Sequence, residues 1–257
     1  MKSLDLFDLK GKTAIVTGGG RGLGLAIAEG LAEAGCDIVL CSRKPENCRK
    51  AAEKIQESGV RAIGAKCDIT NPDDITRLKD FVLKEFGKID VLINNSGATW
   101  GAPTEDYPIK GWKKVIDVNV TGTFLCSQIF GKAMIKGGGG KIVNISSIFG
   151  GIGCKSDVMD AIAYNTSKGA IEAFTKDLAV KWAGRNIHVN AIAPAFIETD
   201  LTKATMNKGK AAILSHVPMG RFGVPDDLKG AAVFLCSKAS DYMTGSTLFV
   251  DGGYRAM

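Results

Sequence analysis

Among its 257 residues the chain has no C-x-x-C pair, no block of like charge, no Pro/Ser-rich linker and no apolar run approaching a membrane span. Each absence removes a class. The seven cysteines, Cys36, Cys41, Cys48, Cys67, Cys126, Cys154 and Cys236, are odd in number and scattered, so they read as reduced small residues rather than a disulfide or zinc framework. Only two histidines occur, and neither has metal-ligand spacing: His188 reads as a strand residue, His216 as part of a mobile segment, and no metal is expected. The net charge of +6 arises from Lys and Arg interleaved with Asp and Glu; this is a solvated surface, not a nucleic-acid footprint. No membrane partner is expected, and Met1 to Lys12 lacks the apolar core of a signal peptide, so the cytoplasm is the expected compartment. With no linker or composition shift, one domain over residues 1–257 is expected.

What is present is an ordinary globular composition, 45% hydrophobic and 23% charged, able to bury a large core. The chain is organised around Thr13 to Gly24, T-A-I-V-T-G-G-G-R-G-L-G. Ala14, Ile15 and Val16 read as a buried strand, the glycines as a tight turn, and Leu23, Ala26, Ile27, Gly30, Leu31 and Ala34 recur at helical spacing. Such a junction presents free backbone N–H groups at the positive end of a helix, and glycine lets a pyrophosphate approach them. The order Gly18, three residues, Gly22, one residue, Gly24 departs from G-x-G-x-x-G. This wider spacing resembles the short-chain dehydrogenase/reductase family.

Further strands are expected at 37–41, 63–67, 89–93, 141–146 and 187–193, with helices between them, giving an α/β class: a doubly wound parallel sheet of Rossmann type, helices on both faces. At the end of the second strand, where an acid would accept from the 2′-OH of NAD, the chain has Ser42 and Arg43, and Arg21 lies in the glycine loop. Two guanidiniums converging on a 2′-phosphate at roughly 1.5 to 3 kcal/mol each would favour NADP(H) over NAD(H) by about a hundredfold or more. Asn71 and Pro72 start a helix whose apolar face is Ile75, Leu78, Phe81, Val82 and Phe86. Asn94, Asn95, Ser96 and Gly97 follow the fourth strand, beside the glycine loop where the strand order reverses.

Tyr164 and Lys168 lie four residues apart at the start of a helix, on one face. An ammonium about 4 Å from a phenol favours phenolate by up to ~4 kcal/mol at an effective dielectric near 20, which would bring Tyr164 toward neutral pH as a proton donor and acceptor. A strand-terminal serine would hydrogen-bond the substrate oxygen as its charge changes. Ser146 and Ser147 both qualify by strand alternation.

The resemblance spans Leu6 to Tyr254 and adds the remaining roles. Its S-S-x-x-G register selects Ser147, and its catalytic set is Asn119, Ser147, Tyr164 and Lys168, with Asn119 holding a water that relays protons to the lysine. It implies cofactor binding by Gly18, Gly20, Arg21, Gly22, Leu23, Gly24, Ser42, Arg43, Asp68, Ile69, Asn95, Ser96, Gly97, Tyr164, Lys168, Pro194, Ile197 and Thr199. Asp68 would reach the adenine, and the Ile197 backbone and Thr199 hydroxyl the nicotinamide carboxamide or a nearby phosphate. Two departures stand out, Ser96 where the family has Ala and Ala195 where it has Gly; a position needing positive φ would force a different loop at the second.

The opening L-F-D-L-K-G-K-T and closing G-A-A-V-F-L-C-S-K-A-S look like the gluconate 5-dehydrogenase branch, and N-S-G-A-T-W-G-A-P resembles 3-oxoacyl-acyl-carrier-protein reductases. A sugar acid or polyol would draw on Lys155; an acyl chain on Trp100, Phe149, Ile152 and Met159. The 148–163 segment is longer than is usual in the family, and its Cys154, Lys155, Asp157 and Met159 should border the pocket. Leu201 to Val217 reads as a helical lid, Arg221 as a structural ion-pair residue, and the resemblance implies a homotetramer. A different class, a nicotinamide redox sensor without turnover, would not need the acid–base set.

Overall fold

In the computed structural model, which describes residues 2–156, 158–199, 202, 203, 206 and 210–257, seven strands form one sheet in the order β3-β2-β1-β4-β5-β6-β7. They are β1 Thr13–Thr17, β2 Asp37–Ser42, β3 Ala62–Lys66, β4 Val91–Asn94, β5 Gly140–Ile145, β6 Ile187–Pro194 and β7 Thr247–Val250, and every pairing is parallel. The order reverses between β1 and β4, which pair through Ala14 with Val91 and Val16 with Ile93. That reversal opens the crevice at the carboxyl ends of the strands in which doubly wound sheets hold ligands.

Alternation along the strands divides the core. Ala14, Val16, Ile38, Leu40 and Ile93 pack on one face against α1 (Gly22–Glu33) and α2 (Pro45–Gln56), and Ile15, Val39, Leu92 and Ile142 on the other against α3 (Pro72–Phe86), α5 (Gly122–Lys136) and α6 (Ile162–Trp182). Strands covered on both faces read as continuous apolar runs, which is why 13–17 and 89–93 carry no polar alternation. α3 is bounded as its sequence requires: Asn71 Oδ1 accepts from the Asp73 amide at 2.9 Å, Pro72 occupies the first turn, and Gly87 closes the helix at φ 79°.

The segment 109–136 is not one regular helix. α4 (Ile109–Ile116) runs into a π turn at Asp117–Thr121 before α5 begins, with the Gly122 amide donating to the Asp117 carbonyl. Such single π turns concentrate at functional sites because they re-aim the side chains on the widened turn, and here the turn carries Asn119, buried at 2% exposure. Beyond β6 come α7 (Lys210–Leu214) and α8 (Lys229–Cys236). The expected lid of Leu201 to Val217 falls partly outside the described residues. Within them, Met206, Ile213, Val217 and Phe222 form a small separate cluster packed by Val158, Phe196, Leu214 and Tyr254.

Candidate active site

The glycine loop is built so that side chains cannot enter it. Gly18 and Gly22 have φ of 65° and 57°, and a Cβ on Gly24 would lie 2.3 Å from Asn95 Nδ2 and 2.6 Å from the Gly18 carbonyl. Glycine is required here for conformation and for close approach. Asn95 Nδ2 donates to the carbonyls of Thr17 (2.9 Å) and Gly18 (3.2 Å), fastening the loop to β4. Thr17 Oγ1 completes the tie: it donates to the Ile93 carbonyl and accepts from the amides of Asn95 and Ser96, both at 3.0 Å. The sequence placed Asn95 beside the loop, and in the structure its amide is committed to holding that loop in shape. Thr17 was missed; its signal was only a polar residue closing an apolar strand.

Around the nucleotide end, Arg21 and Arg43 are both exposed, and neither has an ion-pair partner among the described residues. Asp68 accepts from the Thr70 amide at 3.0 Å and from its hydroxyl at 2.8 Å, finishing β3 in a local turn, and Ile69 is buried against Gly122. Across the cleft the Thr199 methyl carbon comes 3.7 Å from the position a Gly22 Cβ would take, so the β6 loop faces the glycine loop directly. Thr202 Oγ1 donates to the Ile197 carbonyl at 2.8 Å and stands 3.0 Å from Thr199 Oγ1. Ala195 replaces the family's glycine without strain: Asn186 is the only non-glycine residue with positive φ among those described, and the Ala195 amide donates to Val250. A backbone-lined cradle, two unpaired guanidiniums and a facing threonine fit a nicotinamide dinucleotide.

The acid–base residues converge beside this cradle. Ser147 ends β5 and caps the short turn Ile148–Gly150, accepting from the Phe149 amide at 3.3 Å. Its hydroxyl is near enough to the Tyr164 phenol to lower that group's pKa. Ser146, the other candidate, points away: its Oγ donates to the Lys168 carbonyl at 3.2 Å. Lys168 Nζ lies 5.4 Å from the Tyr164 ring centroid and donates to the Ile145 carbonyl at 2.6 Å.

The electrostatics differ from the sequence expectation in one respect. Burial raises the Tyr164 phenol above its ordinary value and outweighs the lowering by Ser147. The ammonium lies 5.4 Å from the ring centroid and is itself lowered to about 8 by burial. Desolvation disfavours both charged forms at once, favouring a neutral phenol.

Asn119 is a hub. Its Oδ1 accepts from the Ala98 amide at 2.7 Å, and its Nδ2 donates to the Ala98 carbonyl at 3.0 Å and to Ser167 Oγ at 2.8 Å. The side chain therefore joins the loop after β4 to the helix that carries Tyr164 and Lys168. Gly97 lies against it, its Cβ position 3.6 Å from Asn119 Oδ1.

On the substrate side, Phe149 meets Phe196 and Tyr254 edge-on at 5.7 and 6.4 Å, and His216 lies 6.4 Å from Tyr254. Phe196 and Tyr254 were not foreseen, because single aromatics in loops carry no periodic signal. The long 148–163 segment reaches this wall through Val158. Lys155 is exposed, Met159 half-buried, and Asp157 lies outside the described residues. The Trp100 ring rests on α4, over Gly111 and with Lys114 Nζ at 5.3 Å, apart from the aromatic wall. Arg221 forms the expected ion pair, bidentate to Asp227 at 2.7 and 3.0 Å.

None of the seven cysteines is in a disulfide. Among the described residues no cluster of His, Cys, Asp and Glu could hold a metal, and no helix is long and apolar enough to cross a membrane.

Comparison with known proteins agrees with this geometry. Residues 18–255 match the family model described as enoyl-(acyl carrier protein) reductase. The chain is 38% identical over 252 residues to the 5-keto-D-gluconate 5-reductase of Escherichia coli (strain K12), with 97% of each chain covered. It is 39% identical over 246 residues to a 3-oxoacyl-(acyl-carrier-protein) reductase of Aquifex aeolicus, covering 95% of this chain and 98% of that one. The crystal structure of a gluconate 5-dehydrogenase from Burkholderia cenocepacia J2315 in complex with NADP and tartrate superposes with a TM-score of 0.94 at 36% identity over 100% of both chains. With its Gly-rich cradle, parallel sheet and Ser147–Tyr164–Lys168 group, the chain belongs to the short-chain dehydrogenase/reductase family, the oxidoreductases that interconvert CH–OH and C=O with a nicotinamide cofactor.

Proposed function

We propose that this chain is an NADP(H)-dependent oxidoreductase that interconverts a secondary alcohol and a ketone on a sugar acid or polyol. The observation that carries the chemistry is the convergence of Ser147 and Lys168 on Tyr164 beside the glycine loop. Support for the substrate class comes from the relatives that act on 5-ketogluconate and gluconate.

The bound nicotinamide supplies hydride transfer to and from the substrate carbon. The chain's residues manage the oxygen. Ser147 Oγ holds the carbonyl or hydroxyl oxygen and donates to it as negative charge develops. Tyr164 delivers its proton to that oxygen in reduction and recovers it in oxidation. Lys168, fixed by the Ile145 carbonyl, steadies the phenolate that results. Asn119 acts at one remove, keeping the helix of Tyr164 and Lys168 in register with the loop after β4; the widened turn that carries it is where a water relaying protons to Lys168 would be held. Gly18 to Gly24 cradle the pyrophosphate, Arg21 and Arg43 take the 2′-phosphate, and Ile197 and Thr199 receive the carboxamide. Asp68 borders the adenine with its backbone turn.

The aromatic wall Phe149, Phe196 and Tyr254 would also accommodate an acyl chain, which favours 3-oxoacyl thioester reduction as the second reading. Exposed Phe124 on α5, Val180 on α6 and Phe249 on β7 fit burial in a homotetramer.

The test is a panel of keto sugar acids, polyols and a 3-oxoacyl thioester, followed by NADPH and NADH absorbance. Turnover on keto sugar acids with NADPH favoured by about a hundredfold is expected, and Arg43→Asp should remove most of that preference. A wild-type preference for NADH would refute the cofactor assignment, and turnover confined to thioesters would refute the substrate.

A further inference from the structure

Arg21 and Arg43 belong to different elements: Arg21 caps α1 from the glycine loop, and Arg43 follows β2. Two cations gripping one phosphate gain by being held at a fixed separation before the ligand arrives. Neither side chain is held by an ion pair, so their spacing depends on the backbone beneath them.

That backbone is joined through a single thiol. Cys48, fully buried in the first turn of α2, donates from Sγ to Ser42 Oγ at 3.3 Å. Ser42 Oγ in turn donates to the Lys44 carbonyl at 2.5 Å, closing a loop around Arg43. On its other side Cys48 meets the residue just before Arg21. A Cβ on Gly20 would lie 2.8 Å from the Cys48 amide nitrogen and 3.0 Å from its sulfur, so the thiol packs directly against the Gly20 backbone. The turn cannot shift away, because Gly64 on β3 presses it from behind: a Cβ there would come 2.3 Å from the Arg49 amide nitrogen and 2.4 Å from the Cys48 carbonyl carbon.

We propose that Cys48 is a positioning residue for the 2′-phosphate subsite, its thiol bridging Gly20 and Ser42 so that Arg21 and Arg43 are held at one spacing. This rests on the NADP(H) reading above. Burial keeps the group a neutral thiol, which can donate to Ser42 while its sulfur packs against Gly20. A thiolate could only accept.

The test uses the full chain and two ligands that differ only in the phosphate, 2′,5′-ADP and 5′-AMP, titrated by calorimetry. Wild type should bind 2′,5′-ADP more tightly. Cys48→Ala should lower that ratio by about fivefold, the loss of one hydrogen bond, with 5′-AMP affinity unchanged. Cys48→Ser keeps a donor and an acceptor and should restore the ratio. Ser42→Ala removes the other end of the bridge, should lower the ratio alike, and should add nothing to Cys48→Ala; it also serves if the alanine variant at 48 does not fold.

A wild type without preference for 2′,5′-ADP overturns the NADP(H) reading and this proposal together. A preference that survives Cys48→Ala and Ser42→Ala overturns the proposal alone. So does an equal loss of affinity for both ligands, which is what a merely structural thiol would give.

Discussion

The nucleotide half and the substrate half of this molecule are specified by different physics. Around the glycine loop, backbone meets backbone: Asn95 and Thr17 fasten Gly18, and Gly24 has no room for a methyl group. Around Phe149, Phe196 and Tyr254 the wall is made of loop side chains from three separate parts of the chain, backed by the small Met206, Ile213, Val217 and Phe222 cluster. The first region leaves no space for a side chain at Gly24, because backbone and the Asn95 amide fill it. The second is made of side chains that lie off the sheet.

The sharpest way to break this contrast lies at the junction of the halves. Tyr164→Phe removes the proton donor while leaving the ring packed, so kcat should fall by about 10³-fold or more with nucleotide affinity intact; undiminished turnover would mean that the chemistry lies elsewhere. A stability measurement comes next. Burial lowers Lys168 to about 8 from an ordinary 10.5, so the unfolded state binds the proton more tightly. Its burial therefore costs stability below pH 8, and that cost is relieved as pH rises from about 8 to 10.5. Relative to Lys168→Met, wild type should gain up to about 3 kcal/mol across this window in denaturant titrations; a flat difference would show that the ammonium is not desolvated.

Gly24→Ala probes the nucleotide half alone. It should destabilise by about 1–3 kcal/mol through the clash with Asn95 and the Gly18 carbonyl, and weaken nucleotide binding in calorimetry. The smallest effect is expected from Tyr254→Ala, a KM raised severalfold for substrate with nucleotide affinity unchanged, consistent with about 1 kcal/mol of aromatic contact. A change in nucleotide affinity there would blur the distinction between the halves.

Much of the architecture was legible along the chain. The apolar runs and caps located β1 to β6 to within a few residues, because strands buried on both faces and an Asn-Pro helix start leave local marks. The glycine spacing and the Tyr164–Lys168 interval were local as well. What could not be read was where a polar side chain spends its hydrogen bonds. Asn95 and Asp68 invited a ligand role, and the fold engages Asn95 in the glycine loop and Asp68 in its own turn. Residues 109–136 are broken by a π turn carrying Asn119, whose partners Ala98 and Ser167 lie 21 and 48 residues away.

The same division explains the acid–base group. The sequence by itself determined that a tyrosine and a lysine share one helical face, since a four-residue interval fixes that through helix geometry alone. Only the tertiary structure decided their electrostatics: the Ile145 carbonyl holds the ammonium, and burial raises the phenol. Both depend on how much water the surrounding elements exclude, a property of the packed chain that no interval along it encodes.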